Sequence, residues 1–175
     1  MLFINKYIIH FNMIIVKKSG FLKYKNFKCR CALGKAGIKK KIKEGDNVTP
    51  KGMFNFLKVY YRADRIKVIK TLLKKSKIKK NMGWCDDSKS KFYNRLIKVP
   101  STLKHEKLYR RDHLYDIIVP LNYNMKPIIK NKGSAIFLHL AKKNYTPTKG
   151  CIALSKINLL KILKIIKPNT KIKLM

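Results

Sequence analysis

Two residues of this chain, Cys151 and His139, carry side chains suited to nucleophilic chemistry and lie within one short segment, GSAIFLHLAKKNYTPTKGCIALS, residues 133–155. A thiol attacks carbonyls mainly as its thiolate, and an imidazole within hydrogen-bond reach can take its proton. The histidine sits in a run of apolar residues that reads as a strand. The cysteine follows twelve residues later, after a loop long enough to bring the chain back beside that strand. Gly150 lets the backbone approach a substrate closely, and the N–H groups of Gly150 and Cys151 are candidate donors to a developing oxyanion. On spacing alone, a lone cysteine is more often a buried core thiol and a lone histidine more often a hydrogen-bonded bystander.

The elements that must position these residues read as mostly β. Residues 13–16 and 21–24 flank Lys17-Lys18-Ser19-Gly20 as a hairpin, and 27–33 continues the pattern. Residues 53–56, 59–63, 114–122 and 135–140 are further strands, the last nearly continuous in apolar residues, as in a sheet buried on both faces. Residues 68–80 read as a short amphipathic helix or an exposed insertion. Residues 81–113 read as a surface loop whose Trp84, Phe92 and Tyr93 demand burial. Residues 155–166 form the clearest helix, with Ser155 as N-cap and Pro168 barring continuation. Residues 171–175 close as a last strand. The 175 residues suit a single domain over 13–175, with 1–12 as an extension or lead-in to the first strand.

Charge is the extreme feature of the composition. Lys and Arg number 43 against eight Asp and Glu, a formal net charge of +35. Such an excess points to nucleic acid, an anionic membrane or an acidic polymer. Only six of the cations are arginine, so lysine abundance also has a simpler source, the residue bias of an AT-rich genome. All eight carboxylates fall between Glu44 and Asp116, and we expect a local partner to hold each in place. Cys29, Cys31 and Cys85 read as ordinary buried thiols, because neither a CxxC pair nor a dense disulfide pattern is present. His105 and His113 flank Glu106, Asp112 and Asp116, yet HEKLY lacks the second histidine of a zinc helix. No metal is expected. Arg110, Arg111, Asp112 and Asp116 are expected to form ion pairs bracing a loop over the site. No run is long enough to span a membrane. The apolar start carries His10 and Asn12 and shows no small-residue cleavage site, so it makes a poor signal peptide.

The run Thr148-Lys149-Gly150-Cys151-Ile152, with His139 on the preceding strand, resembles the cysteine motif of the YkuD-type L,D-transpeptidase family. Thr49-Pro50-Lys51-Gly52-Met53-Phe54 is similar to the family's TPxGxF hairpin, and the two motifs come in the family's order. The resemblance covers roughly residues 13–175. It departs from the family at Lys149, where a second histidine is expected, and at Ala153, where an arginine is expected. The resemblance implies an α+β, mainly β fold, a sandwich or barrel with one or two short helices packed on it. It implies a cysteine acyltransferase needing no cofactor. Cys151 would form a thioester with a peptidoglycan stem tetrapeptide, His139 would carry protons, and the Gly150 N–H would bind the oxyanion. A backbone carbonyl would orient the histidine. Ser134, Lys149 and Trp84 are candidate substrate contacts, and Tyr115 could line the same groove.

The expected partners are therefore stem peptides of an anionic polymer, met by a monomer in the cell envelope, although the N-terminus offers no convincing export signal. Two alternatives stand beside this reading. One is hydrolysis of the same substrate by an L,D-carboxypeptidase. The other is a basic nucleic-acid-binding protein, against which the lysines are spread along the whole chain and match no RRM, KH or zinc-finger pattern.

Overall fold

Alternation of buried and exposed residues decides the first sheet. In the computed structural model, which describes residues 12–175, β1 (Met13–Lys17), β2 (Phe21–Tyr24) and β3 (Phe27–Arg30) form an antiparallel meander. β1 also pairs in parallel with the last strand, β15 (Lys171–Leu174), which pairs antiparallel with β6 (Gly52–Asn55). The order is β3-β2-β1-β15-β6. Ile14, Val16, Leu22, Ile172 and Leu174 point inward and are fully buried, as the two-residue period requires. A short parallel pair, β4 (Ile38–Lys39) with β5 (Thr49–Pro50), leads into β6.

A second five-stranded sheet carries the site. Its order is β14 (Ile152–Leu154), β13 (Phe137–Leu140), β12 (Ile117–Pro120), β7 (Val59–Tyr61) and β8 (Lys75–Lys77). Leu138, Leu140, Ile152 and Leu154 face the main core, where they meet the inner face of the first sheet. They also meet Leu159, Ile162 and Leu163 of α1 (Lys156–Ile165). Ser155 caps α1, accepting from the Asn158 N–H at 3.3 Å. The opposite face of the second sheet is covered as well. Ile118 and Phe137 pack there with Ile78, Trp84, Leu108 and Tyr115. Burial on both faces explains the unbroken apolar run on β13.

Two expectations fail. Residues 68–80 form no helix: Ile69, Leu73 and Ile78 are buried from an extended path that ends in β8. Lysines at nearly every other position mimic an amphipathic pattern. Residues 81–113 are not a simple loop but carry a three-stranded antiparallel sheet, β10 (Leu96–Lys98), β9 (Met82–Cys85) and β11 (His105–Lys107). Strands of three or four residues leave too little periodicity to be read. Of the two architectures considered, the packed sheets form and no barrel closes among the described residues. Residues 1–11, most of the expected lead-in, lie outside those described. Among the described residues no helix is long and apolar enough to cross a membrane.

Candidate active site

The parallel pairing of β13 with β14 matches Leu138 to Ile152 and His139 to Ala153. Cys151 therefore lies beside Phe137, one diagonal step from His139 and on the same face, since side chains alternate along each strand. Diagonal neighbours on a sheet face sit roughly 7–8 Å apart, within reach of an imidazole. Both residues line one open cleft of about 450 Å³.

The backbone holds the sulfur. The Phe137 N–H donates to Sγ at 3.3 Å, and the thiol donates to the Ala135 carbonyl at 3.2 Å. Ala135 presents that carbonyl from a left-handed conformation, φ +51°, which is unusual for a residue with a Cβ. Asn94 braces it. Its buried amide oxygen accepts from the Ala135 N–H at 3.1 Å and from Trp84 Nε1–H at 3.0 Å. Its nitrogen donates to the carbonyls of Tyr123 and Asn124. All of these bonds combine to fix where the thiol proton points.

The histidine is oriented as expected by a carbonyl, which belongs to Leu140. A carbonyl only accepts, so the 2.8 Å contact from Nδ1 places the proton there and leaves Nε2 as the basic nitrogen. Tyr115 packs edge-on against the imidazole, with ring centroids 5.4 Å apart. Burial lowers the His139 pKa to about 4 and pushes the Cys151 thiol up to about 12. The resting pair is thus neutral thiol and neutral imidazole, with the S–H donated to the Ala135 carbonyl. A standing thiolate–imidazolium pair is not what this environment favours.

The loop before Cys151 is shaped by two polar groups and one close approach. Thr148 Oγ1 donates to the Cys151 carbonyl at 2.7 Å and accepts from the Gly150 N–H at 3.1 Å. Gly150 has φ +137°, and a Cβ there would stand 2.9 Å from the Val48 carbonyl oxygen. Val48 immediately precedes the Thr49-Pro50 strand. Gly34 fills the same junction, its N–H donating to Thr49 Oγ1 at 2.8 Å. The hairpin and the cysteine loop, a hundred residues apart in sequence, are in backbone contact.

The other candidates divide. Ser134 and Lys149 line the cleft, and so does Tyr115. Trp84 does not. It is buried beneath the site on the same face of the sheet, edge-on to Phe137 at 5.3 Å, and supports the strand without reaching the cleft. The Gly150 N–H is engaged by Thr148, which leaves the Cys151 N–H as the better placed oxyanion donor. Among the described residues no cluster of metal-ligand side chains occurs. The Leu103 carbonyl lies 2.7 Å from His105 Nδ1, and the Ala141 carbonyl 3.0 Å from His113 Nε2.

Arg110 pairs with Asp112 as expected, through Nε at 2.9 Å and Nη2 at 2.6 Å, but Asp116 is held by Arg65 and Arg111 contributes only its carbonyl. Arg62 binds Asp64 and the Arg110 carbonyl. Arg65 binds Asp116 and the carbonyls of Arg111 and Asp112. Asp86 breaks the expectation that every carboxylate is held: its buried Oδ1 has no hydrogen-bond partner. Burial first, and then Glu106 and Glu44, raise its pKa against the pull of Lys104. Glu44, Asp86 and Glu106 all line the cleft, and only their scarcity in the sequence hinted at a role.

Cys151, one residue before β14, and His139 on the parallel strand β13 thus open on one cleft of a mostly β domain. The model of the L,D-transpeptidase catalytic domain, YkuD, matches residues 10–174, and the chain belongs to that family. The family acts on peptidoglycan and is associated with the cell envelope. No curated protein matches the sequence. Among solved structures, Bd1075 of Bdellovibrio bacteriovorus is similar at 15% identity and a TM-score of 0.49, covering 93% of this chain and 47% of that one. An L,D-transpeptidase from Mycobacterium smegmatis is similar at 13% identity and a TM-score of 0.43, covering 93% and 58%. The chain spans about half the length of these proteins.

Proposed function

We propose that this protein is an L,D-transpeptidase acting through a thioester on Cys151. The observation that carries the reading is the common cleft of Cys151 and His139 on paired strands, with the sulfur cradled by Phe137 and Ala135. The thiol proton turns from its hydrogen bond with the Ala135 carbonyl and passes from Sγ to His139 Nε2 as Sγ attacks the carbonyl of the L-centre in a stem tetrapeptide. The Cys151 N–H receives the oxyanion. The same proton then leaves with the amine of the terminal D-alanine, and the thioester remains. An incoming amine gives its proton to His139 and forms the new amide, restoring the thiol.

The cleft walls favour transfer to an amine over hydrolysis. Three of the chain's eight carboxylates, Glu44, Asp86 and Glu106, line it, and this concentration of negative charge suits an arriving ammonium group. Lys142 and Lys149, on the loop between β13 and β14, suit the carboxylates of a stem peptide. Arg110 reaches the cleft from beside the Tyr115 ring, 4.9 Å from its centroid, and supplies the guanidinium that Ala153 lacks.

Incubation with purified tetrapeptide muropeptides tests the reading by mass spectrometry. We expect an acyl adduct on Cys151, loss of D-alanine and a cross-linked dimer, all absent from Cys151→Ala. A tripeptide without dimer means hydrolysis, and no adduct at all ends the proposal. In the paired variant Asp86→Asn with Glu106→Gln, the acceptor KM should rise about tenfold, or about 1.4 kcal/mol, with adduct formation retained.

A further inference from the structure

The outer face of the first sheet has no part in the cleft. Alternation along its strands turns Ile15 and Lys17 outward from β1, Phe21 and Lys23 from β2, and Lys28 and Arg30 from β3. Lys171 and Lys173 of β15 and Met53 of β6 share that side. The registers align Lys28, Lys23, Ile15, Lys173 and Met53 in one continuous row across all five strands. Arg30, Phe21 and Lys17 form the next row. Lys23 stands directly opposite Lys28, a like-charge pairing that weakens a sheet unless anions relieve it. No carboxylate lies on these strands. The lysine bias of the chain accounts for the number of cations but not for the apolar side chains set among them. Phe21 is 41% exposed and Met53 54% exposed.

We infer that this face docks on an anionic lipid bilayer. Five strands at their usual spacing make a platform about 20 Å across, flat where a groove would suit a single polymer strand. A soluble polyanion would neutralise the lysines and leave Phe21, Ile15 and Met53 in water. A headgroup layer takes both, with cations at the phosphates and apolar tips at the acyl boundary. Each lysine near such a surface adds to the attraction, which salt screens. In this orientation α1, packed on the inner side of the sheet, faces away from the lipid.

Co-sedimentation of the full chain with phosphatidylcholine vesicles, with and without phosphatidylglycerol, tests the inference. Binding should require phosphatidylglycerol. The triple variant Lys23→Glu, Lys28→Glu, Lys173→Glu should lose at least tenfold in partition. The charge-matched triple Lys156→Glu, Lys161→Glu, Lys164→Glu on α1 should stay within twofold of the parent. Phe21→Ser with Met53→Ser should weaken binding without any change of charge. Equal loss from both lysine triples would assign the binding to net charge alone and overturn the inference. So would absence of binding, or indifference to the Phe21 and Met53 changes with full displacement by polyphosphate. Thermal melts of each variant confirm folding, and the serine pair decides the matter should the lysine triple unfold.

Discussion

At the scale of single residues, the proposed chemistry starts from a neutral pair, Cys151 and His139. Below its pKa the thiolate fraction of a thiol grows about tenfold per pH unit. With the Cys151 thiol pushed up to about 12 by burial, its alkylation by iodoacetamide should climb steadily between pH 6 and 10. A plateau near neutrality would instead reveal a standing ion pair with His139. Cys29 and Cys31 are likewise raised by burial, to about 11 and about 12, and both are buried where Cys151 is part-exposed. Accessibility rather than acidity should therefore make Cys151 the cysteine alkylated first. In the proposed mechanism His139→Ala removes the proton acceptor, so adduct formation from muropeptides should fall at least a hundredfold, the usual scale of general-base loss. Single-turnover mass spectrometry reads that loss.

At the scale of elements, the site depends on how two loops are held against strand ends. Thr148→Val removes both the bond to the Cys151 carbonyl and the acceptor of the Gly150 N–H. We expect a loss of about 1–2 kcal/mol in urea titration, and a larger fractional loss of transfer rate because the nucleophile's own peptide shifts. Gly150→Ala adds strain at φ +137° and a Cβ 2.9 Å from the Val48 oxygen, for a penalty of about 1–3 kcal/mol. Asn94→Ala releases Ala135 from its left-handed conformation and frees the Trp84 indole N–H. Its mark should be a changed Cys151 alkylation rate in protein that still unfolds cooperatively.

At the scale of the whole molecule, buried neutral groups set the pH range of stability. His139 titrates at about 4 when folded against 6.5 ordinarily. The unfolded chain therefore binds a proton between those values that the folded chain refuses, and stability rises with pH across that window. Asp46 and Asp64 act in the same direction lower down. Burial alone would raise Asp46, but Lys41 and nearby backbone N–H groups outweigh it; Arg62 holds Asp64 down, and both sit at about 2 against 3.8. Their contribution is present above 3.8 and lost as pH falls toward 2. At the alkaline end Cys29, Cys31 and Cys151 stay protonated past 9.0, where the unfolded thiols ionise, so stability declines from about pH 9 upward. The thermal midpoint should be flat between about pH 6.5 and 9. His139→Leu should flatten the slope between pH 4 and 6.5 specifically.

The sequence by itself determined which residues are candidates for chemistry, the strand that holds His139, the capped helix after Cys151 and the pairing of two motifs in family order. Those features are local. A nucleophile type, an N-cap, an apolar run and a glycine before a cysteine each follow from a few adjacent side chains. Only the tertiary structure decided what surrounds them. The sheet of 82–107 was illegible because its strands are too short to show a period, and it forms the wall that brings Asp86 and Glu106 to the cleft. Trp84 promised a substrate contact yet is buried beside Phe137 beneath the cleft, because how deep a side chain of a short strand lies depends on its partners. The choice of Leu140 as the carbonyl that orients His139, and of Ala135 as the one that accepts the thiol's hydrogen bond, came from backbone geometry at a strand end. Backbone carbonyls look alike at every position of a sequence. Their direction is set by pairing between segments far apart in the chain, and so is the protonation state of the two residues on which the chemistry rests.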